Sequence, residues 1–191
     1  MVNRKDRQEK IILAAANLFL KKGYERTTIE DITNDVGINK AMLYYYFPDK
    51  QSVLFEIISS SIGALIKQSR AVEKLKISPK EKLELLIKKH LIRFTDKKAV
   101  PAVSHAELRN LSPRLLKRCI ADRDKYEGIF RRVIAQGIES GELRNVDVNL
   151  AVASILGLLN SVNLWYKSDG RYSMEDIADR IVDILFPGIE A

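Results

Sequence analysis

The chain has 191 residues, of which 46% are hydrophobic and 30% are charged. This balance excludes an intrinsically disordered chain and indicates a globular protein with a core. The single cysteine, Cys119, cannot form a disulfide within the chain, and its place on an apolar helical face predicts a buried thiol in a reducing cytoplasm. We expect no secretory signal at the charged N-terminus, and the longest apolar stretch, residues 150–159, is too short to cross a membrane.

The net charge of +7 is distributed unevenly along the chain. Residues 1–50 carry a net charge of +2, residues 51–132 carry +10, and residues 133–191 carry −5. The excess in the middle segment indicates a polyanionic partner, although solvated helix faces explain it equally well.

Apolar residues recur with the helical period, and side chains typical of helix caps lie between these stretches. The predicted helix starts are at Thr28, Asn39, Asp49, Ser78, Ser112, Asp147 and Ser173. The sequence therefore predicts an all-α fold of about nine helices, over residues 4–22, 29–36, 40–46, 49–74, 79–95, 102–110, 113–140, 147–166 and 174–186.

The most informative segment, residues 27–47, consists of two short helical patterns that meet at Gly37. Glycine permits the left-handed conformation that ends a helix and turns the chain sharply. Ile32 and Leu43 can close a shared core between the two helices, and Asn39 can cap the second. This pattern is typical of a helix-turn-helix, whose second helix enters the major groove of DNA.

The second helix of this segment carries Lys40 and three consecutive tyrosines, Tyr44, Tyr45 and Tyr46. Successive helical residues point about 100° apart, so one helix cannot bury all three rings. At least one tyrosine is therefore exposed beside a lysine. Its ring and hydroxyl can contact phosphate or a base edge.

Residues 8–58 resemble the tetracycline-repressor (TetR) family of DNA-binding regulators. The resemblance rests on Ala-Ala-x-Leu-Phe at residues 15–19, Gly23-Tyr24, Ile38-Asn39-Lys40, the run from Leu43 to Phe47, and Lys50. It implies a DNA-binding domain over residues 1–48 and a ligand-binding and dimerisation domain over residues 49–191. It also implies that Phe47 is part of the core. Thr33, Val36 and Asn39 depart from the usual family residues, but none of these changes removes a DNA-contacting group.

By this resemblance, seven residues lie at the DNA, with Thr28 and Lys50 on phosphates and Lys40, Ala41 and Tyr45 facing bases. The complete set is Thr28, Lys40, Ala41, Tyr44, Tyr45, Tyr46 and Lys50. The implied partners are a palindromic double-stranded operator, a small-molecule effector and a second copy of the chain, with no membrane.

The run from Leu150 to Leu159 is apolar on every side, which predicts a helix that is buried all round. In a domain of this size, we expect one of its faces to meet a second subunit. The last helix, with Ile177, Ile181 and Ile184, is its natural neighbour, so a four-helix dimer bundle is predicted.

Two arginines interrupt apolar faces, Arg109 after Ala106 and Arg123 between Cys119 and Tyr126. Each either pairs with a carboxylate, such as that of Glu107, or meets an anionic group of a ligand. Other polar side chains on apolar faces are interpreted structurally: His90 as a core histidine, and Asn160 as a group that must find a hydrogen-bond partner. His105 and Glu107 point to different helix faces, so no metal site is predicted.

The C-terminal half is similar to the acyl-CoA-responsive branch of the same family, through residues 107–111, 123–126, 137–141, 156–157 with Asn160, 165–166 and from Gly170 onward. This resemblance implies a fatty acyl-CoA effector and no other cofactor. The predicted ligand-binding residues are Arg109, Arg123, Tyr126, Asn160 and Trp165.

Other classes of function compete with this interpretation. The sequence has no glycine-rich phosphate loop, nucleophile elbow or metal-ligand spacing, so no catalytic residue is predicted and an enzyme is set aside. The open alternatives are a constitutive DNA-binding protein and a regulator induced by a neutral or cationic aromatic ligand. Activation in place of repression is equally compatible with the sequence.

Overall fold

The computed structural model describes residues 4–96 and 99–190, except for the side chains of residues 94–96 and 105. The all-α prediction is confirmed, since the described residues form nine α-helices, one short 3-10 helix at Leu108–Asn110 and an isolated bridge between Leu143 and Glu190. The helices are α1 (Arg4–Lys22), α2 (Ile29–Val36), α3 (Lys40–Tyr46), α4 (Lys50–Glu73), α5 (Pro79–Asp96), α6 (Ala99–Ala106), α7 (Pro113–Glu139), α8 (Val148–Trp165) and α9 (Met174–Ile189).

Six of the seven predicted helix starts, all except Ser112, are confirmed by hydrogen bonds of the capping side chains. Ser78 and Glu81 form a reciprocal capping box at α5, with the Glu81 amide donating to Ser78 Oγ at 3.2 Å and the Ser78 amide to Glu81 Oε2 at 2.8 Å. Asp147 caps α8, and Ser173 with Asp176 forms a second box at α9. Local sequence therefore determines where these helices begin.

Two helices differ from the sequence prediction by more than one residue at an end. Helix α6 covers Ala99–Ala106 instead of residues 102–110, because Pro101 lies within the first turn, where its missing amide proton costs no helical hydrogen bond. Residues 108–110, predicted as its end, form the separate 3-10 helix. Helix α9 continues through Pro187 to Ile189, since a proline in the last turn interrupts little of the helix.

The chain divides into two compact units. Unit 1 comprises the described residues within 1–63 and 97–122, and unit 2 those within 64–96 and 123–191.

Unit 1 is built on α1, which packs against both α2 and α6. Its buried apolar side chains come from several helices and include Ile11, Phe19, Ile32, Leu43 and Phe47. Each such side chain contributes about 1.5–3 kcal/mol by leaving water. Cys119 is buried to 1% exposure, as predicted.

Unit 2 is built on α5, which packs against α8 and α9. Its core includes Leu83, Ile87, Phe130, Val133, Ile155, Leu159 and Ile181. Gly137 in α7 allows a close approach, because a Cβ there would lie 2.6 Å from Leu143 Cδ1. That approach lets the chain after α7 fold back on the helix, where the Leu143 amide donates to the Gly137 carbonyl at 2.9 Å.

In the single chain, α8 is buried on one face, and the other face is left for the second subunit that was predicted to cover it. Val152, Ile155, Leu156, Leu159 and Val162 form a buried face, but the opposite face is open and carries Leu150 at 68% and Leu164 at 81% exposure. On α9, Ile184 is likewise 71% exposed. These exposed apolar side chains leave room for the predicted second subunit.

Candidate functional site

The turn between α2 and α3 has the geometry predicted for a helix-turn-helix. Gly37 adopts φ 72° and ends α2 in the left-handed conformation, and the following amide, of Ile38, donates to the Thr33 carbonyl at 3.0 Å. The Asn39 side chain then accepts from the Met42 amide at 2.8 Å and starts α3. Three local interactions thus fix the angle between the two helices.

The start of α2 is held by Thr28 and Asp31. The Asp31 amide donates to Thr28 Oγ1 at 3.1 Å, and the Thr28 amide donates to Asp31 Oδ2 at 2.9 Å. The ammonium of Lys22 lies 2.8 Å from Asp31 Oδ1. The hydrogen bond from Lys22 is the largest cause, and the hydrogen bonds from Thr28 the next, of a pKa of Asp31 that is lowered to about 2. Thr28 itself is exposed, at the positively polarised end of the helix, where a phosphate would be favoured.

Helix α3 presents the exposed polar and aromatic surface that its sequence predicted. Tyr44 is 49% exposed and Tyr45 is 63% exposed, whereas Tyr46 is half-buried and its ring lies edge-on to that of Tyr45, with centroids 5.2 Å apart. Lys40 and Ala41 are also exposed. The opposite side of the helix is anchored by buried core residues, Leu43 at 0% and Phe47 at 3% exposure.

Lys40 is engaged by an acidic neighbour on α2. Its ammonium forms an ion pair with Glu30, and this hydrogen bond raises the pKa of Lys40 and lowers the pKa of Glu30. Both side chains are more than half exposed, so water and salt screen the pair. A phosphate or base could therefore displace Glu30 from Lys40 at modest cost.

Lys50, predicted to lie at a phosphate, makes contacts that the sequence did not reveal. Its ammonium donates to three carbonyl oxygens of the turn between α1 and α2: Tyr24 at 2.9 Å, Glu25 at 3.3 Å and Thr27 at 2.9 Å. It also lies 4.3 Å from the centroid of the Tyr24 ring. All three N–H groups of this ammonium thus have protein acceptors.

The first turns of α1 also lie against α3, and sequence reasoning missed this. The guanidinium carbon of Arg4 is 5.2 Å from the centroid of the Tyr45 ring, and Arg7 Nη1 donates to Met42 Sδ at 3.9 Å. The sequence signal for this contact was the spacing of Arg4 and Arg7, which are three residues apart and so lie on one helix face.

In unit 2, the structure places a polar cluster within the apolar core, formed by His90, Arg93, Arg123 and Tyr126. His90 and Tyr126, at 2% and 6% exposure, share a hydrogen bond of 2.8 Å between Nδ1 and the hydroxyl. Burial raises the pKa of Tyr126 and lowers the pKa of Arg93 to about 10, and the positive charge of Arg123 adds to the lowering at Arg93. His90 is thus the bonded core histidine that was predicted.

The other predicted ligand residues are more exposed. Arg109 is exposed in the 3-10 helix of unit 1, and Glu107 accepts a hydrogen bond from Asn110 there. In unit 2, Asn160 is half-buried and Trp165 is 53% exposed. Arg123 and Tyr126 are therefore the two predicted ligand residues that the structure brings into the polar cluster of unit 2.

Two further tests concern metals and membranes. No group of three or more histidine, cysteine, aspartate or glutamate side chains that could hold a metal occurs within residues 4–96 and 99–190. In the same part of the chain, α8 (Val148–Trp165) is long and apolar enough to cross a membrane by length and composition, which corrects the expectation drawn from the shorter run of residues 150–159. Core helices of soluble proteins pass the same test.

Two family models match the chain. The one described as "Bacterial regulatory proteins, tetR family" matches residues 11–57, and "Tetracyclin repressor-like, C-terminal domain" matches residues 76–189. The second match includes the whole of α8, so this helix is part of the family's C-terminal domain.

Similar proteins cover nearly the full length. The fatty acid metabolism regulator protein of Bacillus subtilis strain 168 is 27% identical over 191 residues, which is 99% of this chain and 98% of that protein. AibR, solved with isovaleryl coenzyme A and operator DNA, is 28% identical with a TM-score of 0.85, over 95% of this chain and 98% of AibR.

FadR of Bacillus subtilis, solved with stearoyl-CoA, is 27% identical with a TM-score of 0.81, over 95% of this chain and 99% of FadR. These relatives are regulators, which supports setting an enzyme aside. The chain belongs to the TetR family of ligand-responsive, DNA-binding transcriptional regulators.

Proposed function

We propose that the protein is a cytoplasmic, homodimeric repressor that leaves a palindromic operator when it binds a fatty acyl-CoA. The observation that carries this proposal is that two solved relatives, each aligned over 95% of the chain, hold acyl-CoA thioesters, and one of them also holds operator DNA. A constitutive regulator and an aromatic ligand have no comparable support.

The DNA side of the proposal rests on the exposed surface of α3. Lys40, Tyr44 and Tyr45 project from a helix whose other side is locked into the core by Leu43 and Phe47. A rigid helix with exposed hydrogen-bonding side chains suits reading of the major groove. Thr28 at the start of α2 would hold a phosphate beside it.

The effector side rests on unit 2. An acyl chain requires apolar walls, and the phosphates of coenzyme A require cations at the mouth of the site. Unit 2 has an extensive apolar core, and Arg123 and Tyr126 lie on the α7 face that carries its polar cluster. Asn160 and Trp165 on α8 remain proposed contacts. Arg109 belongs to unit 1, and its role as a ligand residue stays a prediction.

The dimer is proposed from the exposed apolar side chains of α8 and α9. Leu150, Leu164 and Ile184 are each more than two-thirds exposed in the single chain. Exposed large apolar side chains are candidates for an interface between subunits. A two-fold dimer would present two copies of α3 to two half-sites, which requires a palindromic operator.

Release from DNA requires only that acyl-CoA binds more tightly to a dimer whose recognition helices do not fit the operator. By linkage, the factor by which acyl-CoA weakens DNA binding equals the factor by which DNA weakens acyl-CoA binding. The proposal therefore predicts the same coupling factor in both titrations.

The test is a titration of the protein–operator complex, using an operator that the wild-type protein selects from a random DNA library. Isovaleryl-CoA, stearoyl-CoA, free coenzyme A and stearate are added separately. We expect an acyl-CoA to release the DNA while coenzyme A and stearate do not. Release by a neutral or cationic aromatic compound and by no acyl-CoA would overturn the effector assignment.

A pair of variants on α7 tests the predicted ligand residue. Arg123→Gln should weaken release by acyl-CoA, because it removes a cation from the polar cluster. Arg114→Gln removes the same charge from an exposed position nine residues earlier on that helix and should leave release unchanged. Thermal unfolding of both variants separates a lost ligand contact from a lost fold.

A further inference from the structure

The first turns of α1 lie beside the recognition helix. Arg4 and Arg7 are three residues apart and share a face of α1, as Met42 and Tyr45 do on α3. Arg4 lies over the Tyr45 ring and Arg7 contacts the Met42 sulfur, so the two faces meet in register. The start of α1 is therefore a lateral extension of the surface that α3 presents.

The chemistry at this edge is cationic and accessible. Arg4 and Tyr45 are exposed, and Arg7 is half-buried. Among the residues that the structure describes, neither arginine has a carboxylate within ion-pair distance. The first two turns of α1 carry four basic and two acidic residues, and the helix N-terminus adds positive partial charge.

A guanidinium that lies over an aromatic ring can keep its hydrogen-bond donors available. The donors of arginine lie in the plane of the group, and a ring beneath that plane leaves the edges open to phosphate oxygens. The contact with Tyr45 also limits the freedom of Arg4, so less conformational entropy is lost when a phosphate binds. Tyr45 thereby holds Arg4 beside the groove that α3 would enter.

We propose that Arg4 and Arg7 bind the sugar–phosphate backbone of the operator, flanking the bases that α3 reads. This proposal rests on the DNA-binding function described above and adds α1 to the contact surface. The alternative is that both arginines only pack α1 against α3. The two roles differ in how operator binding responds to salt.

The test compares single variants of the full-length protein on the operator selected by the wild type. Each phosphate contact contributes about 0.9 to the slope of log affinity against log salt concentration, so a substitution present twice in a dimer should reduce the slope by about 1.8. We expect this reduction for Arg4→Gln and for Arg7→Gln. Arg4→Lys keeps the charge and should restore most of the slope.

Lys21→Gln is the matched control, because it removes the same charge from the same helix about 25 Å away. An unchanged slope in both arginine variants, relative to Lys21→Gln, would overturn the proposal and assign the arginines to packing. A lower melting temperature of the arginine variants, with an unchanged salt dependence of operator binding, would also assign the arginines to packing. If the wild type selects no operator, the DNA-binding function itself fails, and that outcome is distinct.

Discussion

The ammonium of Lys50 lies 2.9 Å from the carbonyl oxygen of Thr27, across 23 residues of sequence. Together with the carbonyls of Tyr24 and Glu25, this contact joins the start of α4 to the turn that precedes α2. Both ends of the helix-turn-helix are thus held by one side chain. The rigidity of the helix-turn-helix therefore depends on Lys50 as well as on the α2–α3 turn.

Lys50→Met should weaken operator binding without changing its salt dependence. The substitution leaves three carbonyls without their donor, so we expect a loss of about 1–3 kcal/mol in the free energy of unfolding. If Lys50 binds phosphate instead, the salt slope falls by about 1.8 in the dimer. Lys67→Met, at an exposed position on the same helix, is the control for the lost charge.

Glu30→Gln and Lys40→Ala should change operator affinity in opposite directions. Lys40→Ala removes a predicted contact and should weaken binding, whereas Glu30→Gln frees Lys40 from its ion pair and should strengthen binding a few-fold. Asp35→Asn, at an exposed position of α2, measures the general effect of removing a negative charge. Equal operator affinities of the Glu30→Gln and Asp35→Asn variants in gel shifts would show that the ion pair does not restrain Lys40.

Ile184→Glu should convert the dimer to a monomer, because it places a charge at an exposed apolar residue of α9 that the second subunit is proposed to cover. Light scattering reports the mass, and operator affinity should fall with it. Ile120→Glu changes an isoleucine that is 48% exposed on α7 and should remain dimeric. A monomeric wild type, or a dimeric Ile184→Glu variant, would contradict the proposed interface.

Gly137→Ala should destabilise the protein by about 1–3 kcal/mol, since the new methyl group would overlap Leu143. Gly63→Ala in α4 is the opposite case: an added Cβ would meet nothing within 4 Å, and alanine is favoured in a helix by about 0.5–1 kcal/mol. Urea unfolding of the two variants should therefore shift in opposite directions, and equal shifts would contradict this account.

Local features of the fold could be predicted because their causes are local. Thr28 caps α2 through a residue three positions away, and Gly37 ends the same helix through its own conformational freedom. The first turn of α6 was missed because Pro101 is compatible with either a helix start or a preceding loop. The exposure of α3 followed from its three consecutive tyrosines, which cannot share one face.

The site contacts that sequence reasoning missed join residues that are distant in the chain. Arg4 meets Tyr45 across 41 residues, and His90 meets Tyr126 across 36. No periodic pattern relates such pairs, since they depend on how helices pack. For α8 the limit is different: its apolar sequence predicts that both faces are covered, but that sequence is the same whether the second face meets its own chain or another copy.

The buried thiol of Cys119 makes the wild-type chain its own reporter of local opening. A thiol-specific reagent can modify this side chain only when α7 or its surroundings open, because it is 1% exposed in the closed structure. With no second cysteine to react, the modification rate measures one event at one position. Following that rate with operator or acyl-CoA present would show whether either partner suppresses opening, without introducing a label or a substitution.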